Sequence, residues 1–441
     1  MYLLIDRSDL VLALGLTLVI GSVAYALFMF VLSRFEPATV EHDAAADPPA
    51  LDVVFLLPCL NEARVIEASL ERIRAFPGSR IHAIVVDDGS DDGTGEMVEA
   101  LGDPRLHVVR RHLPDARKGK GEALNTGVQY LVSGAVLPLT DLDNVIVVVV
   151  DADGRLEPHT LDEVLPLFAD PRIGAVQIGV RINNRRSNLL ARMQDVEFVL
   201  YTQVFQRARR HLASVGLGGN GQFVRLSALL ALGQRPWTRS LAEDLDLGVR
   251  LLAAGWQTDF SSRVAVHQQG LVRIRPWLRQ RTRWFQGHLQ AWGLVPDVLR
   301  NLPARARADL LYHLTSPYLL LVASLLTTAF VMWVGSLVLA ALIGDLTPSW
   351  WWLSSYLFAF GPAVLFGWLY WRHDRDEHYG LARAFLVMHL YVPYALLWYV
   401  AGWTAVLRTM RGQTGWSKTS RVAESGDADG DLVVATGPVG R

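Results

Sequence analysis

Residues 147–154 of the chain read V-V-V-V-D-A-D-G, so that four consecutive valines run directly into Asp151 and Asp153. A β-branched run of this length predicts a buried strand of a parallel sheet. The two acids would then lie at the carboxyl end of the strand, where open α/β sheets bind their ligands. Carboxylate oxygens at this position suit Mg²⁺ or Mn²⁺, and such a metal would hold the phosphates of a nucleotide-linked substrate. Because Asp and Gly are also ordinary turn residues, the motif by itself leaves a simple strand-ending turn open.

The sequence before the valine run alternates between short apolar segments and helical patterns. The predicted strands are residues 52–57, 81–86 and 106–110, and the predicted helices are residues 61–75, 95–101 and 122–132. Strands and helices that alternate at this spacing predict an α/β fold with a doubly wound, mostly parallel sheet. The segment contains neither a Gly-x-Gly-x-x-Gly loop nor a Walker loop, which excludes two common phosphate-binding motifs of such sheets.

The composition predicts a protein that is partly in the membrane and partly outside it. The 441 residues are 51% hydrophobic and 19% charged, and the mean hydropathy of +0.23 is too high for an ordinary soluble protein. The excess is local, because residues 10–33 carry no charge and further uncharged runs occur at about 314–344, 346–370 and 384–407. Each run is long enough to span a bilayer. The first run could instead be a secretory signal, but it exceeds the usual length of such a segment.

Charge and cysteine content exclude several partners. The formal net charge is -1 and no long basic run occurs, which argues against nucleic acid as a partner. Cys59 is the single cysteine, so the chain has no internal disulfide and no thiol pair for zinc. The sequence therefore predicts four parts, which are a transmembrane helix at 10–33, a cytosolic domain at 50–295, a transmembrane region at 309–407, and a basic motif with a flexible tail at 408–441.

Six motifs follow one another in the middle segment. They are Pro58-x-x-Asn61-Glu62, Asp87-Asp88-Gly89-Ser90, Lys120-Gly121-x-Ala123-Leu124-Asn125, Asp151-x-Asp153, Glu243-Asp244 and Gln280-x-x-Arg283-Trp284. The ordered set resembles the family 2 inverting glycosyltransferases, above all the membrane-embedded branch with cellulose, chitin and hyaluronan synthases and the chitin-oligosaccharide synthases of rhizobia. The resemblance covers about residues 50–295. It implies a GT-A-like nucleotide-diphospho-sugar transferase domain, a UDP-sugar donor, Mg²⁺ or Mn²⁺ as cofactor, and a glycan or lipid-linked acceptor at the bilayer.

The resemblance assigns the donor side to six positions. Asp87 and Asp88 end a strand, where a carboxylate accepts hydrogen bonds from uracil or ribose, and Glu62 joins them among the substrate-binding residues. Lys120 precedes a predicted helix in a glycine-flanked loop, and its ammonium would pair with a diphosphate near the helix N-terminus. Asp153 is the first predicted metal ligand, with Asp151 as a second ligand or as an acceptor for a sugar hydroxyl. A strand-capping turn and a solvated loop are the alternatives for these motifs.

The catalytic base is predicted from the pair Glu243-Asp244 at the start of an apolar-periodic helix. Asp244 matches the general base of the family, and inverting transfer needs one base to deprotonate the acceptor hydroxyl. The family usually has a threonine before this pair, whereas this chain has Ala242. For Glu243 and Asp246 a plain helix-capping role is equally open.

The acceptor side is predicted on one helix that begins at Pro276. Gln280, Arg283 and Trp284 stand at i, i+3 and i+4 and therefore share one helix face. The indole would offer an apolar surface to a pyranose ring, while Gln280 and Arg283 would donate to its hydroxyls. Residues 273–292 are also basic and aromatic, as in a helix on a membrane surface, and the two interpretations are compatible.

The leading functional prediction is a UDP-sugar-dependent enzyme that forms β-glycosidic links in an oligosaccharide or polysaccharide at the cell membrane. The alternatives are transfer of one sugar to a polyprenyl phosphate or glycolipid, against which the Gln280-x-x-Arg283-Trp284 motif argues, and a non-catalytic membrane scaffold. A soluble nucleotidyltransferase would not need the flanking apolar runs.

The membrane topology predicted from the runs contains a conflict. Three single spans after a cytosolic domain would place the C-terminus outside, yet Arg408, Arg411, Lys418 and Arg421 favour the cytosol. We therefore expect an even number of crossings, either because 309–345 holds two short spans or because 381–407, broken by Pro393, is interfacial or re-entrant. Residues 416–421 also resemble a segment near the active-site mouth of related synthases.

Overall fold

The valine run lies at the centre of an eight-stranded sheet in the computed structural model, which describes residues 7–36, 51–78, 80–344, 349–373 and 380–413. The strand order is β3-β2-β1-β4-β7-β6-β8-β5. The strands are β1 (Asp52–Cys59), β2 (Ile81–Asp87), β3 (Leu106–Arg110), β4 (Val145–Val149), β5 (Arg155–Leu156), β6 (Ile173–Ile182), β7 (Gln222–Arg225) and β8 (Gln257–Gln268). The predicted strands are present, each with the bounds extended by no more than two residues.

Helices cover both faces of the sheet and continue toward a group of long apolar helices. Those of the sheet domain are α2 (Ile66–Arg74), α3 (Thr94–Ala100), α4 (Lys120–Val132), α5 (Thr160–Val164), α6 (Leu189–Leu200), α7 (Arg207–Leu212), α8 (Leu226–Ala231), α9 (Glu243–Ala253), α10 (Ile274–Gln290) and α11 (Val295–Asn301). The long helices are α1 (Arg7–Leu32), α12 (Ala304–Leu342), α13 (Ser349–His373) and α14 (Leu381–Met410).

The valines of β4 are buried on both faces of the sheet. Ile146 and Val148 pack into the core beneath α2 and α3, while Val147 and Val149 face the opposite core with α4 and α9. All four are at most 1% exposed. Alternate side chains of a strand point to opposite faces, so a strand covered on both sides needs an unbroken apolar run.

The sheet is parallel in its first half and mixed in its second. β1 pairs in parallel with β2 and β4, and the chain moves outward from β1 in opposite directions, to β2 and β3 on one side and β4 on the other. A crevice forms at such a switch point beyond the carboxyl ends of the strands. β7 is antiparallel to both β4 and β6, so the predicted mostly parallel sheet is correct for β1 to β4 and too simple beyond them.

Three predicted helices begin two or more residues away from the expected position, and one of them, α4, begins at Lys120 rather than at Glu122. The helix expected from Asn61 begins at Ile66, because Asn61 has a left-handed φ of 56° and its side chain pairs with Asp91. The helix expected from Pro276 begins two residues earlier at Ile274. Proline remains in the first turn, where its missing N–H costs no helical hydrogen bond.

Three helices of the described residues are long and apolar enough to cross a membrane: Ala304–Leu342, Trp352–His373 and Leu381–Met410. Residues 304–342 form one helix, so the prediction of two short spans within 309–345 is wrong, and Pro393 lies inside a continuous α14. Ile20–Leu32 is a shorter apolar stretch of α1. Residues 416–421 and the predicted tail lie outside the described part of the chain.

A buried polar triad attaches the long helices to the sheet domain. Nε of Arg209 donates to Asp309 at 3.0 Å, and the hydroxyl of Tyr25 donates to the same carboxylate at 2.6 Å. These three side chains come from α7, α12 and α1, and Arg209 is 2% exposed. Breaking one side of a buried ion pair typically costs about 3–5 kcal/mol, so the triad fixes α1 and α12 on the domain.

Candidate active site

A cavity of about 420 Å³ opens at the switch point of the sheet and extends to the long helices. Its sheet end is lined by charged side chains, which are Glu62, Asp88, Lys120, Asp151, Glu243 and Asp244. Its other end is lined by aromatic and imidazole rings, which are Phe198, Tyr201, Trp284, His288, His313 and Trp398. Gln280 and Arg283 also line the cavity. The structure thus brings eight of the ten predicted site residues to one cavity, and Asp87 and Asp153 are the two that do not line it.

Lys120 is the central cation of the sheet end. It is the first residue of α4, and its Nζ atom lies 2.5 Å from Oδ1 of Asp151. Burial opposes the charged form, but the acids around it, foremost Asp151, raise the pKa of Lys120 above the ordinary lysine value. A fixed ammonium at the start of a helix, in a cavity that excludes much of the solvent, is suited to bind an anion.

Asp244 lies close to Lys120, and Gly219 occupies the position between the two side chains. A Cβ on Gly219 would lie 3.3 Å from Nζ of Lys120 and 3.4 Å from Oδ2 of Asp244. Any side chain at this position would therefore enter the space between the cation and the acid. The Gly219-Asn220-Gly221 turn, a weak signal on its own, thus forms one wall of the site.

The acids of α9 have three different environments. Asp246 pairs with Arg250 one helical turn later, at 2.7 Å. Burial, together with the charge of Asp244, raises the pKa of Glu243 to about 7. Asp244 lines the cavity and accepts only the local N–H of Leu245 among its described hydrogen bonds. Asp246 is therefore a structural residue, and Asp244 and Glu243 are the acids that face the cavity.

The interface helix α10 packs closely against the start of α9. A Cβ on Gly287 would lie 2.5 Å from the backbone nitrogen of Ala242, and Gln290 accepts a hydrogen bond from the N–H of Leu241 at 3.0 Å. The small residue at 242, where the resembled family has threonine, therefore lies under the backbone of α10. The same helix carries Gln280, Arg283 and Trp284, which line the cavity together with Asp244.

The two aspartates that end β2 have separate roles. Asp88 lines the cavity and pairs with Arg111, and burial raises the pKa of Asp88 although Arg111 opposes the shift. Asp87 instead accepts the N–H of Ser90 at 2.8 Å and holds the turn that follows the strand. The predicted strand-ending turn thus applies to Asp87, whereas Asp88 lines the cavity.

The two aspartates that follow β4 also differ. Asp151 lines the cavity, and its N–H donates to Oδ1 of Asn220 at 3.1 Å. Asp153 is 1% exposed and accepts the N–H of Gln269 at 3.0 Å. Asp153 was predicted to be the stronger metal ligand, whereas the carboxylate that reaches the cavity is Asp151.

Trp284 stacks on a buried arginine that the sequence did not single out. The guanidinium carbon of Arg281 lies 4.1 Å from the Trp284 ring centre and 5.2 Å from that of Trp398. Arg281 has no exposed surface, and its Nη2 lies 3.2 Å from Oε2 of Glu197. The Tyr394 hydroxyl donates to the same carboxylate. Cation–π contact in a dry environment fixes the indole plane at the cavity wall.

The end of the cavity that lies next to the apolar helices α12 and α14, called the membrane end below, consists mainly of residues that sequence reasoning missed. Phe198 and Tyr201 come from α6 and the π-helical turn that follows it, His313 from α12, and Trp398 from α14. The three segments that supply them lie at least 85 residues apart in the chain and share no motif spacing. The one available signal was the polar or aromatic character of His313 and Trp398 within otherwise apolar helices.

Two family models match the chain. The model described as Glycosyl transferase family group 2 matches residues 146–401, which is more than half of the chain. The model described as Glycosyl transferase family 2 matches residues 54–228. Together they cover residues 54–401, from β1 into α14, and leave out α1.

Curated relatives are similar over about half to nearly three quarters of the chain. The β-monoglucosyldiacylglycerol synthase of Synechocystis is 32% identical over 66% of this chain and 59% of its own length. That of Trichormus variabilis is 32% identical over 71% and 64% respectively. The poly-β-1,6-N-acetyl-D-glucosamine synthase of Staphylococcus aureus is 27% identical over 53% and 54%. The chain thus spans about three fifths of the lipid synthases that it matches.

Among solved structures, the mannosyltransferase PcManGT of Pyrobaculum calidifontis, in complex with GDP-Man and Mn²⁺, aligns over 91% of this chain and 99% of its own. The TM-score is 0.57 and the sequence identity 22%. This similarity establishes a shared fold, which agrees with the GT-A-like domain expected from the motifs.

Proposed function

Because this chain belongs to glycosyl transferase family 2, we propose that it transfers a sugar from a UDP-sugar to a hydroxyl group of a membrane acceptor, with inversion to a β-linkage. The observation that carries the proposal is the single cavity in which Lys120 and Asp244 face rings supplied by α10, α12 and α14. An anion site, a carboxylate base and an apolar acceptor wall meet there, as transfer from a diphosphate to a membrane molecule requires.

The donor is proposed to bind at the sheet end. Lys120 would leave Asp151 and pair with the diphosphate, while Asp88 would accept hydrogen bonds from the uracil or ribose. Glu62 lies beside Asp88 in the cavity wall and completes this side. The Gly219 turn leaves the room in which the sugar would lie between Lys120 and Asp244.

A divalent metal fits this site only together with the substrate. The described residues contain no group of three or more His, Cys, Asp or Glu that could hold a metal ion by themselves. Mg²⁺ and Mn²⁺ are commonly held by one or two carboxylates plus substrate phosphates and water. Asp151, with Asp153 next to it, would hold such an ion, which would neutralise the leaving diphosphate. The Mn²⁺ in the complex of the mannosyltransferase PcManGT supports a divalent metal ion in this fold.

Asp244 is proposed to act as the base. Inversion requires the acceptor hydroxyl to attack the anomeric carbon from the side opposite the diphosphate while one group takes its proton. Asp244 faces the cavity between Lys120 and α10, whereas Asp246 is bound to Arg250. Glu243 also lines the cavity, and its raised pKa of about 7 suits a general base, so Glu243 is the second candidate.

The acceptor is proposed to be a lipid hydroxyl, with diacylglycerol as the first candidate. The two β-monoglucosyldiacylglycerol synthases give transfer of one sugar to a glycerolipid more support than the motifs alone did. The aromatic end of the cavity, which α12 and α14 help to build, supports the same choice. Extension of a β-glycan is the second candidate. It is favoured by the stacked Trp284 ring, which suits a pyranose, and by the similarity to the staphylococcal polysaccharide synthase.

We further propose that α12 and α13 cross the membrane and that α14 lies on its cytosolic surface. The Tyr394 hydroxyl donates to Glu197 of α6, and Nε2 of Gln286 on α10 donates to the carbonyl of Gln413 at 2.7 Å. Near the start of α14, Ala384 is buried in the hydrophobic cluster that also contains Met193 of α6. A helix of 30 residues that meets the same domain at both ends runs along that domain.

The opposite face of α14 is apolar and exposed, at Leu386, Leu390, Val400, Trp403 and Leu407. Such a face fits the hydrocarbon boundary of a bilayer. This arrangement gives the even number of later crossings expected from Arg408 and Arg411, and it keeps the catalytic domain and residue 413 in the cytosol.

The proposed activity is tested by incubating membranes that contain the protein with radiolabelled UDP-glucose, UDP-galactose or UDP-N-acetylglucosamine. Each donor is supplied with diacylglycerol and Mg²⁺ or Mn²⁺, and parallel samples contain EDTA. We expect a labelled lipid that depends on the metal and is missing from membranes with Asp244→Asn. A labelled polymer in place of the lipid would select the second candidate. Absence of any product that depends on Asp244 would leave the non-catalytic scaffold as the remaining interpretation.

A further inference from the structure

Two histidines meet at the membrane end of the cavity. His288 belongs to α10 and His313 to α12, and their ring centres lie 5.9 Å apart with the planes at 81°. Both line the same cavity as Asp244 and Trp284. The mechanism proposed above uses neither ring, and histidine is uncommon in such apolar surroundings unless it binds a partner.

The hydrogen bonding of His288 determines which of its ring atoms is available. Its Nδ1 lies 2.8 Å from the carbonyl oxygen of Trp284, so Nδ1 carries the proton and donates it. In the neutral ring Nε2 is then an acceptor. The same hydrogen bond joins the ring to the residue that stacks on Arg281, so the position of His288 is coupled to the predicted sugar platform.

His313 offers a complementary pair of ring atoms. Among the described residues, no hydrogen bond is made by its ring, although the ring lines the cavity. A neutral imidazole has one N–H donor and one acceptor nitrogen. The two histidines thus present two acceptors and one donor within one end of the cavity.

We infer that His288 and His313 form a subsite that binds the hydroxyl-bearing head group of the membrane acceptor. Hydroxyl groups donate to Nε2 of His288 and exchange hydrogen bonds with His313, which holds the head group between Trp284 and the base. The inference rests on the proposed transfer reaction and assigns part of its acceptor recognition to two residues outside the motifs. Glycerolipid and sugar head groups share this chemistry.

The test uses the full-length protein in lipid nanodiscs with the variants His288→Phe, His313→Phe and both together. Phenylalanine keeps an aromatic ring at the position and lacks the two ring nitrogens of histidine. His107→Phe is the matched control, because His107 and His82 form a similar ring pair on β3 and β2 with centres 6.1 Å apart, and neither lines the cavity. The KM of the acceptor is measured at saturating donor, and the Kd of UDP is measured by calorimetry.

Each single variant is expected to raise the acceptor KM by about threefold to tenfold, the usual effect of losing one hydrogen bond, and the double variant by more. The Kd of UDP should stay within about twofold of wild type, and His107→Phe should change neither constant. The variants His288→Gln and His313→Gln restore a donor and an acceptor, so their KM should return toward wild type. They also serve if a phenylalanine variant fails to fold.

Two acceptors identify the source of the hydroxyl group. Diacylglycerol has a single hydroxyl, whereas an alkyl β-glucoside presents a sugar head group. A raised KM for either acceptor supports the subsite, and the acceptor that shows it identifies the head group. An unchanged KM for both, while wild type is active, overturns the subsite alone, as does an equal rise in the Kd of UDP. Absence of transfer by wild type overturns the proposed function and the subsite with it.

Discussion

Nζ of Lys120 lies 2.5 Å from Oδ1 of Asp151. The ammonium that we propose to bind the donor diphosphate is therefore paired with the carboxylate that we propose to hold the metal ion. The proposed metal and donor would therefore bind together. If Asp151 held a metal ion, the ammonium of Lys120 would need another anion, which the donor diphosphate would supply.

Lys120→Met separates the two effects. Without the ammonium, Mn²⁺ should bind the nucleotide-free protein more tightly, because Asp151 loses its competing cation. UDP should bind about 10- to 100-fold more weakly, the usual range for a lost charge-assisted hydrogen bond. Calorimetric titrations with Mn²⁺ and with UDP measure both constants. Lys118→Met is the control, since Lys118 pairs with Asp115 on the surface. Equal Mn²⁺ affinities in Lys120→Met and wild type would contradict the competition.

Asp244→Asn should lower turnover by about 10²–10⁴-fold, the usual contribution of a general base, and leave UDP binding nearly unchanged. The comparison variant is Asp246→Asn on the same helix, whose acid is bound to Arg250 and should matter mainly for stability. Transfer assays and calorimetry with UDP give the two quantities. Near-normal turnover in Asp244→Asn would move the role of base to Glu243.

Glu243→Gln should stabilise the protein at high pH. The pKa of Glu243 is raised to about 7 in the folded protein, above its unfolded value, so folding favours the protonated acid. Wild type therefore loses stability as the pH rises through 7, whereas the amide does not titrate. We expect a gain of roughly 1–3 kcal/mol at pH 8.5 that shrinks toward pH 5. Thermal unfolding at both pH values measures it, with Glu71→Gln as the exposed control. A gain that is independent of pH would argue against the assignment.

Trp284→Ala should raise the acceptor KM by about tenfold or more while the Kd of UDP changes little. The expected loss reflects removal of an aromatic contact that contributes about 1–3 kcal/mol to the binding free energy. Steady-state kinetics with varied acceptor, together with UDP titration, distinguish the two sides of the cavity. Trp292→Ala, which removes a half-exposed indole outside the cavity, is the control. Loss of UDP affinity alone would place Trp284 on the donor side.

Single cysteines locate the two ends of the helical region. Cys59 is replaced by Ser, and one cysteine is introduced at Gln413 or at Ile343, which is exposed near the end of α12. An impermeant thiol reagent should label position 343 in intact cells and position 413 only in inverted vesicles. The side chain of Gln413 is free to change, because its carbonyl is the group that meets Gln286. Labelling of position 413 in intact cells would show that α14 crosses the bilayer.

The half of the fold that carries the donor side was predictable because its signals are local. The valine run, the apolar segments before it and the acids at their ends specify β1 to β4 and bring Asp88, Lys120 and Asp151 to one edge. The antiparallel insertion of β7 was not predicted, because Gln222–Arg225 is short and its pairing with β4 depends on tertiary contacts.

The candidate site divides in the same way. The order of the motifs identified Asp244, Gln280 and Trp284, which line the cavity. It also predicted Asp87 and Asp153 as site residues, although only their neighbours Asp88 and Asp151 line the cavity. Successive side chains of a strand point to opposite faces of the sheet. Where the end of the strand is irregular, the path of the backbone decides which of two neighbouring acids faces the cavity. His313 and Trp398 reach the site through helix packing, for which a single sequence carries no spacing signal.

Trp398 reaches the cavity from α14, whose opposite face presents Leu386, Leu390 and Leu407 outward. Whatever medium surrounds that face therefore helps to set the position of one wall of the pocket. A detergent micelle is small and strongly curved, whereas a leaflet is broad and nearly flat, and a helix lying along the two will settle at different depths. On the proposed placement of α14, kinetic constants measured in detergent would therefore describe a pocket shaped by the surfactant, and the lipid environment has to be specified as carefully as the buffer.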